Sequence, residues 1–370
     1  MALPQRAVTL RPQSLTGLGP WDLALFVQLP LVVTIVFLWQ IMSADGLLTD
    51  FDALRRAAQD VLAGASPYPP ADAAVLAKSE QLVYPPLIAF LLAPFALVSG
   101  GLAEAFYVVI LIVALPITVA VLGVRDRRLF FVGLLWPSMV AVFGVGALGP
   151  LLALGLALAW RWRNALKLVA PLVALVVVSK LFLWPILIWL LATRRFKAAL
   201  AAVLIGAAAT GAAWAAIGFT GLREYPELLR TLTALFEPMA YSTSALALSL
   251  GAPTAVARLL LVLLAIVAIV AIIRLARRDD GDRRSFILAI GAALLLSPIL
   301  WLHYLVLLLV PFALVRPKLS LLWLSPLVLW VTPHYAAAGD IWRIVVVLGF
   351  IAVAFSVALR ASPGPRLSAR

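Results

Sequence analysis

Two acidic residues open a long polar segment that follows the first hydrophobic stretch. Asp50 and Asp52 begin TDFDALRRAAQDVLAGASPYPP, residues 49–70, and a mostly apolar remainder follows. Ionisable side chains beside a bilayer are costly to keep, so they are candidates for function. Asp52, three residues after Thr49, also fits a capping box, which is a structural role. One helix does not need a second capping acid, so Asp50 is the stronger catalytic candidate and Asp52 the second.

The same segment is patterned as an amphipathic helix. Its apolar residues recur at helical spacing and are Phe51, Leu54, Ala58 and Val61. Polar side chains occupy the opposite face, which is typical of a helix lying along a membrane surface. Gly64 and then Pro67 are expected to end it.

Further polar residues lie where apolar segments are interrupted. Tyr68 follows the helix, Tyr84 precedes two prolines, Lys180 stands in SKLFLWP, and His303 and Tyr304 end LLLSPILWLHY. A single lysine near an interface usually extends toward water, and a single histidine at a helix break is usually structural. These residues can form a functional site only if the fold brings them together.

The composition predicts an all-α polytopic membrane protein. Of the 370 residues 65% are hydrophobic and 12% charged, and the mean hydropathy is +1.11. The apolar runs are long and continuous, which excludes a transmembrane β-barrel. The absence of cysteine excludes disulfides and thiolate chemistry, and two histidines exclude a His-rich metal site. Two neighbouring acids are a thin ligand set, so we expect no metal and no other cofactor.

The net charge of +13 does not indicate nucleic-acid binding. The basic residues fall in short clusters between hydrophobic spans, at 125–128, 161–167, 194–197, 274–284 and 316–318. This is the positive-inside pattern of cytoplasmic loops. The partner it indicates is the lipid bilayer.

The ends of the chain predict the topology. Arg6 and Arg11 precede a first apolar span at about 21–42, which is too long for a signal peptide and lacks a cleavage site. We expect a cytoplasmic N-terminus, a first extracytoplasmic loop at 44–83 and a disordered cytoplasmic tail at 361–370, all in one domain of residues 1–370.

The apolar segments predict about eleven to thirteen membrane segments, several of them in broken pairs. Breaks are expected at 144–150, at Ser179-Lys180 and at Ser297-Pro298. Irregular backbone at membrane depth is tolerated where it lines a cavity. If 85–98 and 103–122 both crossed the membrane, the basic cluster after them would be outside, so one of the two is expected to be a partial insertion.

Several of these strings resemble glycosyltransferase family 87, whose members depend on polyprenol-phosphate sugars. The resemblance covers about residues 20–335 and is carried by TDFDALRRAAQDVLAGASPYPP, LVYPPLIAFLLAPFA, SKLFLWPILIWLLATRRFKAA and LLLSPILWLHYLVLLLVPFAL. It implies the GT-C membrane fold and α-mannosyltransferase activity at the extracytoplasmic face of the plasma membrane. One departure is that 146–150, GALGP, lacks the polar Gly-Gln and nearby Asn of many relatives.

The resemblance implies a polyprenyl-phosphate sugar donor whose leaving group is already a phosphate. The site must then hold growing phosphate charge, and Lys180, His303 and Tyr304 are the residues expected to do so. The broken hairpins would form a groove for the polyprenyl chain, and Trp184 and Trp301 are candidates for its walls, although tryptophan in a membrane protein is more often an interfacial anchor.

The acceptor, a glycolipid or an envelope glycan, needs a base near the anomeric carbon. Asp50 is the expected general base, with Asp52 as the second candidate, and a helix N-terminus favours the ionised carboxylate. The residues expected to contact the acceptor or the sugar are Tyr68, Tyr84 and Arg55. Single displacement of this kind inverts the anomeric centre.

Two other classes remain open at this point. A transporter or lipid flippase also has broken helices with polar residues at depth, although no inverted repeat is visible. A non-catalytic scaffold of envelope assembly is the second alternative. There is no P-loop or GxGxxG motif to indicate a soluble nucleotide donor.

Overall fold

The computed structural model describes residues 19–44, 48–77, 82–332, 336–337 and 339–361, and these are helical with no strand. The first helix, α1, joins Pro20–Leu23, a π-helical turn at Ala24–Gln28, and Leu29–Ala44 without a break. It matches the expected first span. Arg6, Arg11, residues 45–47 and 78–81 of the expected 44–83 loop, and all but the first residue of the expected tail lie outside the described residues.

The helices of the first half alternate between long spans and short pieces. They are α2 Thr49–Leu62, α3 Ala73–Leu76, α4 Leu87–Leu91, α5 Ala93–Ala96, α6 Gly100–Val121, α7 Leu129–Val132, α8 Pro137–Val145, α9 Gly149–Arg161 and α10 Leu166–Ser179. A 3-10 turn at Gly133–Leu135 joins α7 to α8.

The second half continues in the same manner. Its helices are α11 Pro185–Ala192, α12 Phe196–Ala216, α13 Tyr225–Phe236, α14 Thr243–Ser249, α15 Thr254–Ala276, α16 Gly281–Leu296, α17 Leu309–Val315, α18 Leu321–Leu324 and α19 Ile341–Arg360. Its 3-10 helices are Leu181–Leu183, Glu237–Met239, Leu302–Leu308 and Ser325–Val331.

Within the described residues, four helices are long and apolar enough to cross a bilayer, namely α6, α12, α15 and α19. The pair α8 and α9 is long and apolar enough only when taken together, and it is bent by 116° at its break, as in a broken span or a re-entrant loop. Shorter apolar helices lie at Pro20–Val36, Leu166–Ser179, Leu181–Ala192, Leu302–Val315 and Leu321–Val331. The protein is therefore an all-α polytopic membrane protein, as predicted. The three expected breaks are present, because α8, α10 and α16 end at residues 145, 179 and 296.

The basic loops meet at one end of the bundle. The Arg128 guanidinium lies 4.0 Å from the Asp22 carboxylate at the start of α1, and Asp126 accepts a hydrogen bond of 2.9 Å from the Leu319 N–H. Arg163 and Arg195 both bind Asp282, at 2.9 and 2.8 Å. These pairs join loops that the charge pattern had placed on one side.

Of the two segments between which the sequence leaves the partial insertion open, 85–98 is divided into short helices. Helices α4 and α5 contain five and four residues, too few to cross a bilayer that requires about 20 residues. Helix α6 contains 22 residues. A single crossing between residues 82 and 121 explains why Arg128 lies beside the first turn of α1.

Candidate active site

Helix α2 begins directly on the break between α8 and α9. Its N-cap is Leu48, in the left-handed region at φ 65°, and the Leu48 N–H donates to the Gly144 carbonyl at 2.8 Å. Gly146 has φ +74°, and a Cβ there would lie 2.8 Å from the Phe51 Cβ. The close approach requires glycine, and it fixes Asp50 above the break.

The expected capping box is wrong. Thr49 is the first helical residue and no side chain caps the helix, because tertiary pairing of Leu48 holds the entry instead. Asp50 and Asp52 both lie in the first turn, where the helix dipole favours negative charge. The predicted helix, its apolar face and its end are confirmed. Its four apolar residues are buried, and Gly64 ends it in a Schellman motif, with the Ala65 N–H donating to the Asp60 carbonyl at 2.8 Å.

Tyr107 of α6 supports this junction and was missed in the sequence. Its hydroxyl donates to the Gly146 carbonyl at 2.9 Å, and its ring stacks on Phe51 with centroids 4.1 Å apart. The available signal was a tyrosine within an apolar span, since a buried tyrosine hydroxyl usually has a partner.

Lys180 lies at the break between α10 and the 3-10 turn Leu181–Leu183. Its ammonium donates to the Tyr304 hydroxyl at 3.1 Å. The same nitrogen lies 4.5 Å from the centroid of the Tyr84 ring and 4.8 Å from that of Tyr304. Phe182 stacks on Tyr304 at 4.9 Å. Two aromatic rings and one hydroxyl therefore hold the cation at the break.

Asp50 belongs to the same cluster. Its charge acts on Lys180, on Tyr84 and on Tyr107. Asp52 is two residues further along α2, roughly 200° around the helix, and it is not among the charges that act on these three groups. The structure thus brings Asp50, and not Asp52, together with Lys180 at the break after α10.

His303 completes the cluster from the third break. Its side chain is 5% exposed, its ring centroid lies 4.7 Å from that of Tyr304, and its Nε2 has no hydrogen-bond partner among the described residues. Its carbonyl approaches Gly149 so closely that a Cβ there would be 3.3 Å away. The 3-10 segment is therefore packed against the start of α9.

Tyr84 is buried just before α4, with its ring facing the Lys180 ammonium. Burial raises the pKa of Tyr84 to about 12, so the hydroxyl keeps its proton at neutral pH and can donate. The Tyr68 hydroxyl donates to the Tyr84 carbonyl at 2.8 Å. Tyr68 therefore contacts the cluster through the backbone of Tyr84, with its own hydroxyl already occupied.

Arg55 lies apart from this cluster. Its Nε donates to the Phe95 carbonyl at 3.1 Å and its Nη2 to the Val98 carbonyl at 2.9 Å. These bonds satisfy carbonyls at the end of α5, where the chain turns into α6. The geometry gives Arg55 a role in holding the partial insertion against α2.

An apolar groove begins close to Lys180. It has a volume of about 510 Å³ and is lined by Trp184, Leu187, Ile188, Leu191, Phe196, Ala199, Leu200 and Val203 of the α11–α12 hairpin. Trp184 is thus a groove wall, whereas Trp301 packs edge-on against Phe236 with centroids 6.3 Å apart. No group of three or more His, Asp or Glu side chains suited to a metal ion occurs in the described part of the chain.

The described helices form a membrane protein with one polar cluster, and comparison with known families gives its class. The model of glycosyltransferase family 87 matches residues 82–298, and the chain belongs to that family. The matched range includes Tyr84 and Lys180, whereas Asp50 precedes it and His303 follows it. Searches of curated proteins and of solved structures gave no match. Family membership makes the chain a glycosyltransferase in place of a transporter.

Proposed function

We propose that this protein is an inverting glycosyltransferase that moves a mannose-like sugar from a polyprenyl-phosphate donor to a glycolipid or envelope glycan. The observation that carries the proposal is a cluster of one acid and one cation. Asp50 stands at the start of α2, which packs on the α8–α9 break, and its charge acts on Lys180. Lys180 stands at the break after α10, where its ammonium donates to the Tyr304 hydroxyl. A sugar-phosphate donor needs a cation at the leaving phosphate and a base at the incoming hydroxyl. This cluster contains both.

Lys180 would bind the donor phosphate. As the bond from the anomeric carbon to the phosphate oxygen breaks, its electron pair goes to the phosphate, and negative charge there increases. The Lys180 ammonium and the Tyr304 hydroxyl, 3.1 Å apart, are donors already in place for that charge. His303 is buried and its Nε2 lacks a hydrogen-bond partner in the described part of the chain. It would supply a further hydrogen bond once the phosphate is present.

Asp50 would act as the general base. The acceptor oxygen forms the new bond to the anomeric carbon, and its proton passes to the Asp50 carboxylate. Attack opposite the leaving phosphate inverts the centre, so a β-linked donor gives an α-linked product. Asp52 stays the second candidate, and its position around α2 supports it less. Tyr68, Tyr84 and Arg55 stay proposed acceptor or sugar contacts, with Tyr84 supported best because its ring faces Lys180.

The polyprenyl chain would lie in the α11–α12 groove. Its lining is apolar along two helices, and Trp184 is only four residues from Lys180. A lipid phosphate bound at Lys180 would therefore have an apolar path for its first isoprene units. We propose that the site faces the extracytoplasmic side of the plasma membrane, because the positive-inside rule assigns the arginine-rich loops to the cytoplasm and the Asp50 segment follows the first span.

The test is sugar transfer from polyprenyl-phosphate-mannose by purified protein in defined lipid. We expect transfer by the wild type and a loss of at least about 10²-fold in Asp50→Asn. Asp60→Asn is the matched control, because it removes a charge from the same helix away from the cluster. Asp52→Asn, assayed in parallel, distinguishes the two base candidates. A chelator should leave the rate unchanged.

Three outcomes would contradict the proposal in different ways. Equal loss in the Asp60 control would mean that charge on α2, and no particular base, matters. Full activity of Asp50→Asn would remove Asp50 as the base. No transfer from any lipid-linked sugar by folded wild type would favour the non-catalytic scaffold.

A further inference from the structure

Two tyrosines from different loops hold consecutive carbonyls of one short segment. The Tyr68 hydroxyl donates to the Tyr84 carbonyl at 2.8 Å, and the Tyr225 hydroxyl donates to the Val83 carbonyl at 3.1 Å. Tyr225 is the first residue of α13, a helix 142 positions away from Val83 in sequence. No motif in the sequence connects α13 to the cluster around Lys180.

The segment depends on these side chains because of its sequence. Pro85 and Pro86 follow Tyr84 and have no N–H to donate. Their carbonyls are used by α4, where they accept from the N–H groups of Ile88 and Phe90 at 3.1 and 3.2 Å. The carbonyls of Val83 and Tyr84, just before the helix, are the ones that the two hydroxyls satisfy.

The two tyrosines form one aromatic unit with Trp214. Tyr68 stacks on Trp214 with centroids 5.2 Å apart, and Tyr225 lies 5.1 Å from Tyr68 and 5.6 Å from Trp214. Leu228 and Leu232 of α13 pack with Leu76 of α3 in a small cluster separate from the main core. Tyr225 is therefore a point where this outer unit is tied to the segment that carries Tyr84.

We propose that Tyr225 is a positioning residue for Lys180, acting through Val83 and Tyr84. The Tyr225 hydroxyl holds the Val83 carbonyl in place. Because Val83 and Tyr84 are adjacent, this hydrogen bond also limits the position of Tyr84. The Tyr84 ring lies 4.5 Å from the Lys180 ammonium. The placement of α13 at the outer loop thus sets the position of the cation in the site. The effect on donor binding rests on the proposed function, whereas the effect on Lys180 itself does not.

The first measurement is therefore made on Lys180 without a substrate. Purified protein is treated briefly with a water-soluble amine-reactive ester, and the modified fraction of each lysine is read by peptide mass spectrometry. The variant Tyr225→Phe keeps the aromatic packing and loses only the hydroxyl. In this variant we expect Lys180 to react about fivefold faster, because that ratio corresponds to the free energy of one net hydrogen bond. Lys197, exposed at the start of α12, is the internal standard.

The matched control is Arg230→Gln. Arg230 is exposed on the same helix and pairs with Glu227, without contact to Val83. It should leave the Lys180 rate unchanged. An unchanged Lys180 rate in Tyr225→Phe, or an equal increase in the control, would overturn the proposal.

The second measurement is a double-mutant cycle on the binding of a polyprenyl phosphate, with the corresponding polyprenol as the uncharged reference. We expect Tyr225→Phe to raise the Kd for the phosphate about fivefold and to leave that for the alcohol unchanged. In a Lys180→Gln background the Tyr225 change should have no further effect. Additive losses would show that Tyr225 acts elsewhere.

The two measurements separate the two proposals. If Lys180 reactivity changes and wild type shows no preference for the phosphate over the alcohol, the positioning role stands and the proposed donor fails. If wild type prefers the phosphate and Tyr225→Phe behaves as wild type in both assays, the donor stands and the positioning role fails.

Discussion

The Lys180 ammonium donates to the Tyr304 hydroxyl at 3.1 Å, joining two residues that are 124 positions apart and that follow two different helix breaks. Each break leaves backbone N–H and C=O groups that a continuous helix would pair. Such irregular backbone at membrane depth is tolerated where it lines a cavity. Placed side by side, and next to Asp50 at the start of α2, they form one polar cluster within an otherwise apolar bundle.

Removing the cation from this cluster should abolish transfer. We expect Lys180→Gln to lower kcat by about 10²–10³-fold, as for loss of one donor to a developing negative charge. Lys197→Gln, at an exposed lysine in a basic loop, should have no effect. The measurement is initial-rate kinetics on protein that elutes as a single folded species. A rate within twofold of wild type, roughly the assay's precision, would remove Lys180 from the phosphate site.

Gly146 should tolerate no side chain. Its φ is +74° and a Cβ would lie 2.8 Å from the Phe51 Cβ, so Gly146→Ala must strain the backbone and push α2 away. We expect a loss of about 2–4 kcal/mol of stability together with loss of transfer. Gly101→Ala is the control, because a Cβ there meets nothing within 4 Å. Thermal unfolding in detergent checks both variants, and equal melting temperatures would contradict the close approach.

Asp126 should make stability depend on pH in the acidic range. Burial alone would raise the pKa of the Asp126 carboxyl. Hydrogen bonds from Arg128 and from the Leu319 N–H outweigh this effect and hold that pKa below its ordinary value of 3.8. Its contribution is therefore present above about pH 3.8 and lost as the pH falls through the lower, folded-state pKa. Asp126→Asn should cost about 1–3 kcal/mol at neutral pH.

The same comparison at acidic pH provides the control. The difference between Asp126→Asn and wild type should shrink as the pH is lowered through the range in which the wild-type carboxyl becomes protonated. Asp60→Asn should show no comparable difference at neutral pH. A deficit of Asp126→Asn that is the same at all pH values would mean that the amide is tolerated poorly for steric reasons.

The network around Asp282 should affect stability and leave chemistry intact. Its carboxylate accepts from Arg195 at 2.8 Å, from Arg163 at 2.9 Å and from the Trp189 indole at 3.0 Å. Asp282→Asn should lower the unfolding free energy by about 1–3 kcal/mol, since two guanidinium groups lose their partner. Asp279→Asn, on the exposed neighbouring residue, is the control. A changed kcat per folded molecule would show that this end is coupled to the site.

The sequence by itself determined the class of protein, the boundaries of α2, and the three breaks. These follow from local physics. Continuous apolar runs require a membrane, and apolar spacing at 51, 54, 58 and 61 specifies one face of a helix. Gly64 then ends α2 in the left-handed conformation that glycine adopts readily. The sequence also indicated that Asp50, Lys180 and His303 were unusual, because each is polar at an interruption of apolar sequence.

Only the tertiary structure decided which of these residues meet. Tyr107 and Tyr225 gain their roles from carbonyls at 146 and 83 that no local pattern connects to them. The capping box at Thr49 was wrong because the Leu48 N–H pairs with Gly144, a residue of another helix. Propensity and periodicity act within a few turns of chain, whereas the contacts that build this site join segments packed together from distant parts of the sequence.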